Sequence, residues 1–173
     1  MILKPQDVLF LLKLVSLNKS PWIFNELAIA LGMSASEVHA AAKRVVVARL
    51  AIKQGGEILP NIRNLQEFLL HGIQYVFVPE RGELNRGFPT SFAAEPLVQL
   101  FADNQELPPV WPDAEGTVRG ESFSPLYKSV PKAVKQDAEL YKLLALVDAI
   151  RGGRAREREL AKKELVKRLN DYG

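Results

Sequence analysis

The chain has no cysteine, and only two histidines and two methionines among its 173 residues. Without cysteine there is no disulfide, no thiolate nucleophile and no thiolate metal site, and a reducing compartment is favoured over secretion. The two histidines, His39 and His71, leave few ligands for a zinc ion. Long apolar runs are missing too. Lys or another polar residue interrupts each one within about ten positions, short of what a bilayer-spanning helix needs. The first residues show no basic stretch leading into an apolar run with a small-residue cleavage site, so no signal peptide is expected and the reading is a cytoplasmic protein. No Gly-x-Ser-x-Gly elbow and no His/carboxylate ligand cluster is visible, and the sequence therefore offers no catalytic, cofactor or metal assignment.

What is present is the composition of a folded domain: 47% hydrophobic and 25% charged residues. Charge is distributed unevenly. Residues 1–60 carry seven Lys/Arg against four acids, residues 61–130 five against nine, and residues 131–173 eleven against seven. Two basic ends flank an acidic middle, a layout that suits an anionic partner at one or both ends and equally suits simple solubility.

Periodicity divides the chain into three stretches, 1–76, 77–131 and 132–173. In the first, Pro5 opens a helix to Asn18 with Val8, Leu9, Leu11, Leu12 and Val15 on an apolar stripe. A second helix covers about 24–31 and stops at Gly32, and Ser34-Ala35-Ser36-Glu37 has the form of a capping box that starts a third helix running to about Leu50. Two short runs, 50–53 and 57–59, separated by Gln54-Gly55-Gly56, predict a β-hairpin. A fourth helix is expected over 62–76. Eight of the eleven prolines fall in residues 77–131, where periodicity is lost, and this stretch reads as loop-rich structure anchored by aromatics. The last stretch is helical again. Leu140, Leu143, Leu144, Val147 and Ile150 form a stripe that suits either a dimer interface or packing within the chain, and a highly charged helix follows Gly152-Gly153. The fold class expected is mainly α, with a small hairpin and a C-terminal helical pair.

Leu27, Ala28, Leu31, Gly32, Val38 and Ala41 have the spacing that packs two helices across a tight turn, with a small residue at Ala28 where the third helix crosses. Glu26-Leu27-Ala28-Ile29-Ala30-Leu31-Gly32-Met33-Ser34 resembles the second helix and turn of winged helix-turn-helix regulators of the MarR-like and ArsR-like kind, and the hairpin lies where their wing does. The resemblance covers about residues 5–75. It implies double-stranded DNA as the partner, with the third helix in the major groove. The residues carried over are Ser34 and Ser36 near the helix start, then His39, Ala40 and Lys43 toward base edges. Arg44 and Arg49 would reach phosphates, and Lys53 and Gln54 at the hairpin tip the backbone or minor groove. Lys43 and Arg44 are expected to be exposed. Three consecutive alanines, Ala40–Ala42, make the reading face sparse, so the resemblance points to a homodimer on a palindromic operator. Such a protein would be a transcriptional regulator or a toxin–antitoxin autorepressor. The competing reading is a protein–protein module built on the same architecture.

Other features are less specific. His71 reads as a half-buried structural residue. The segment Glu80–Gly87 carries two Arg-Gly pairs, at Arg81 and Arg86, that could hold an anion or serve as a loop with internal ion pairs. Asp113, Glu115 and Glu121 read as solvated. The C-terminal helix suggests Glu159–Lys163 and Glu164–Arg168 pairs, together with a surface for nucleic acid or a protein partner.

Overall fold

The computed structural model describes all 173 residues, folded as eight helices and two small sheets. None of the helices is long and apolar enough to cross a membrane.

Helix α1 (Pro5–Leu17) lies at the centre of the fold. Val8 through Leu12 are inaccessible to solvent, and Leu14 and Val15 are buried as well. An amphipathic helix would keep one face wet, but α1 is covered on opposite sides by α3 (Ala35–Val47) and α7 (Ala138–Gly152). Between α1 and α3 runs α2 (Phe24–Leu31), which Gly32 ends in the left-handed conformation at φ +67°. The Met33 N–H then donates to the Ala28 carbonyl at 3.0 Å. The expected capping box opens α3: the Glu37 N–H donates to the Ser34 hydroxyl (3.1 Å) and the Ser34 N–H to the Glu37 carboxylate (2.8 Å). Val38, Ala41, Ala42 and Val45 bury its inner face. The helix ends at Val47, three residues before the expected limit, and Arg49 turns the chain at φ +64° into the hairpin.

Strands β1 (Ala51–Gln54) and β2 (Glu57–Pro60) pair antiparallel with Gln54 opposite Glu57. Gly55 and Gly56, both at positive φ, make the two-residue turn. Asn61 caps α4 (Ile62–His71) by accepting from the Asn64 N–H at 3.2 Å. The single helix expected over 62–76 is in fact two, since Gly72 separates α4 from the short α5 (Ile73–Val76).

Residues 77–131 depart most from the sequence reading. Much of the stretch is irregular, as expected, but it also holds a closed three-stranded unit from β3 (Arg81–Pro89), β4 (Pro109–Pro112) and β5 (Val118–Phe123), in which every strand pairs with the other two. Strands β3 and β5 run antiparallel from Arg81/Phe123 to Gly87/Val118, β3 and β4 antiparallel, and β4 and β5 parallel. So tight a closure needs glycine at the crossings. A Cβ on Gly87 would lie 2.0 Å from the Trp111 carbonyl oxygen, and one on Gly120 2.0 Å from that of Pro108. The fold is therefore eight helices with two small sheets, the second of which the sequence reading does not anticipate.

This barrel is tied to α7 by a buried polar cluster. Asp148 accepts from the Thr90 hydroxyl (2.7 Å), the Trp111 indole (2.7 Å) and Arg151 Nε (2.9 Å), and Arg151 donates on to the carbonyls of Phe77 and Ser124. Every polar atom of the Asp148 carboxylate thus has a partner, as burial in an apolar setting requires. After the short α6 (Val130–Ala133), α7 starts at Asp137, which accepts from the Leu140 N–H at 2.9 Å. Leu140, Leu143, Leu144, Val147 and Ile150 are all buried within the chain, so this stripe is core and not a free dimer face. Helix α8 (Ala155–Asn170) packs back on α7. One continuous apolar cluster takes residues from 1–76, 77–131 and 132–173 alike.

Candidate nucleic-acid interface

The outer face of α3 is what this framework leaves open. With Val38, Ala41, Ala42 and Val45 inward, the helical repeat turns Ser36, His39 and Lys43 outward, and all three are exposed. Ala40 is half-buried beside them. These four residues and Arg44 line one side of an open cleft of about 880 Å³, and Met1, Ile2 and Lys4 line the other. His39 is held flat against Phe24 at the start of α2, with ring centroids 3.8 Å apart and planes 18° from parallel. Its ring edge is fixed in place rather than free to swing.

Arg44 is not available for a phosphate. Its Nε donates to Asp7 Oδ2 at 2.7 Å and its Nη2 to Asp7 Oδ1 at 2.8 Å, and only 12% of its side chain is accessible. Asp7 itself is wholly buried and also accepts from the Lys4 N–H at 2.8 Å. The two-pronged bond to Asp7 raises the Arg44 pKa, so its charge is fixed and already matched. The expectation of an exposed Arg44 is corrected for that reason. The ion pair clamps the first turn of α1 to α3 and so sets Lys4 at the edge of the cleft. Lys4 was missed from sequence because no local pattern connects it to α3. An acid inside the apolar α1 run was the one available hint.

Ser34 is exposed, but its hydroxyl is engaged by the Glu37 N–H and lies 3.1 Å from the Ser36 hydroxyl, so its part is to cap α3. Glu37 stays below its ordinary value, chiefly because the Ser34 N–H stabilises the carboxylate against partial burial; the Tyr127 hydroxyl at 3.2 Å and the nearby Lys128 assist. Arg49, Lys53 and Gln54 are exposed but lie outside the cleft, on the turn after α3 and on the hairpin. The structure thus gathers Ser36, His39, Ala40, Lys43 and Arg44 at one place and leaves Ser34, Arg49, Lys53 and Gln54 around it.

The remaining candidates resolve differently. His71 is exposed rather than half-buried, because it is the last residue of α4 and Gly72 turns the chain there. Arg81 pairs with Glu121 at 3.0 Å and donates to the Gly152 carbonyl, while Arg86 faces Arg119 across β3 and β5. Glu115 is exposed, as expected, and also pairs with Lys135. On α8 the ion pairs are Glu159–Lys162 (3.9 Å) and Glu164–Lys167 (3.4 Å), one residue closer in sequence than expected. Arg168 instead reaches Glu139 on α7 at 2.8 Å. The helix contacts its neighbour on that side, which redirects Arg168 from its own turn.

No protein-family model, no curated protein and no solved structure matches the chain.

Proposed function

We propose that the chain binds double-stranded DNA as a transcriptional regulator of winged helix-turn-helix architecture. The observation that carries this reading is the outward face of α3. Ser36, His39 and Lys43 stand exposed side by side on a rigid helix that the Ser34 cap and the Asp7–Arg44 clamp hold in place. A helix of this width fits the major groove, and its hydroxyl, imidazole and ammonium groups can address base edges. Lys53 and Gln54 extend the surface on the hairpin, where a wing would follow the backbone. Sparse readout by one α3 calls for a homodimer on two half-sites. With α7 committed to the core, that dimer would have to use exposed apolar residues elsewhere, among which Tyr75, Val76 and Val78 lie close together in sequence.

The test is fluorescence anisotropy of a labelled random duplex at low salt. Binding should weaken steeply as salt rises, since Lys contacts release condensed counterions. Lys43→Ala should weaken binding by roughly 5- to 150-fold, the range for loss of one good base contact of about 1–3 kcal/mol. Undetectable duplex binding by the folded chain at low salt would sink the proposal.

A further inference from the structure

Tyr127–Ala133, far along the chain, lies directly on the helix-turn-helix turn. A Cβ on Gly32 would sit 3.1 Å from Ser129 Cβ and 3.2 Å from Lys132 Cδ, and the Tyr127 hydroxyl reaches Glu37 in the first turn of α3. Two lysines come with this segment. Lys128 and Lys132 are both exposed, and neither takes part in any ion pair. Glu37 accepts from the Ser34 N–H and the Tyr127 hydroxyl and feels the charge of Lys128 without a direct ion pair. On α8 the cations are mixed: Lys162, Lys167 and Arg168 each face a carboxylate, whereas Arg156 and Lys163 are exposed and outside any ion pair. Cations outside any ion pair also occur at Arg119, Lys142, Arg156 and Lys163, so what sets Lys128 and Lys132 apart is their position against the turn, beside the start of α3.

We infer that Lys128 and Lys132 are phosphate-contacting residues of the same duplex surface, so that the DNA interface is assembled from both ends of the chain. The inference rests on the reading of α3 as the DNA-binding helix. The duplex whose groove receives Ser36 and His39 brings its sugar-phosphate strand past the turn that precedes them. Lysines there act as point charges on phosphates and add affinity without adding sequence preference. Net charge alone does not single out this place, because Lys128 lies within the acidic stretch 61–130 and Lys132 just past its end.

The experiment compares the intact chain with Lys128→Ala/Lys132→Ala and with Lys163→Ala/Lys167→Ala on the exposed side of α8. Labelled duplexes of two unrelated sequences are titrated across a salt series. Loss of two phosphate contacts should lower the steepness of the log–log salt dependence by about 1.8, at roughly 0.9 per contact. The ratio of affinities for the two duplexes should stay as it was. The α8 variant should keep the full slope, and circular dichroism checks that both variants are folded. A full slope in Lys128→Ala/Lys132→Ala overturns the inference while leaving the α3 reading standing, and so does an equal loss in the α8 variant. If the unmodified chain binds neither duplex, the α3 reading fails and takes this inference with it.

Discussion

Arg44 and Asp7, thirty-seven positions apart, form a two-pronged ion pair that joins α3 to the first turn of α1. Removing one member strands the other: Arg44→Ala leaves a carboxylate wholly inside the protein without its cation. Breaking such a pair costs about 3 kcal/mol, the lower part of the usual range because Arg44 borders the open cleft. Urea denaturation should show that loss for Arg44→Ala, whereas Lys43→Ala, on the exposed face, should stay within about 0.5 kcal/mol of the parent. Equal stability of the two variants would contradict the clamp. A drop in DNA binding by Arg44→Ala is then to be read as a folding effect, not as loss of a contact.

Gly120 passes so close to Pro108 that a methyl group would meet its carbonyl oxygen at 2.0 Å. Gly120→Ala should therefore cost about 3 kcal/mol or more, at or beyond the upper range for overpacking. The control is Gly82→Ala, whose new Cβ would lie 3.4 Å from Ser122 Cβ, an ordinary contact. It should change stability by under about 1 kcal/mol. The fluorescence of the buried Trp111, followed in a Trp22→Phe background, reports on barrel closure directly.

Asp137 gives an acid limb to the stability profile. Burial pushes its carboxyl up, but Lys13 Nζ at 2.8 Å, the Leu140 N–H and the Ser16 hydroxyl together outweigh burial and leave it below the ordinary value of 3.8. A carboxylate lowered on folding contributes stability that is complete above 3.8 and is lost as pH falls through the lower, folded value. Asp137→Asn should therefore be less stable than the parent near neutral pH, and the gap should narrow as pH falls below 3.8. Denaturation midpoints measured between pH 7 and pH 2.5 (about four such points suffice) check the sign. A gap that widens on acidification would refute it.

How much of this was legible in the sequence depended on how far apart the partners lie. The α2–turn–α3 unit was readable because Gly32, Ser34 and Glu37 act on neighbours within a few positions. The hairpin was readable for the same reason, from Gly55 and Gly56. The barrel was hidden. Its pairings join Arg81 to Phe123, and its strands hold Gly82, Gly87, Pro89, Pro109 and Pro112, so neither alternation nor strand propensity marks them. On the outer face of α3, the exposure of Ser36, His39 and Lys43 followed from helical period, while a role for them came only from the resemblance. Arg44 did not, because the acid that occupies it belongs to another helix. Lys4, Lys128 and Lys132 gain their place from tertiary packing, which no local pattern encodes.

Helix α1 is buried without a break from Asp7 to Val15 and packs against both α3 and α7. The consequence concerns inheritance as much as mechanics. Residues 1–76 cannot be passed on by recombination as a freestanding cassette, since cutting them away would leave the far side of α1 wet. A substitution on the face of α7 that covers α1 therefore acts on the same helix that α3 packs against, so the two parts of the chain share one stability.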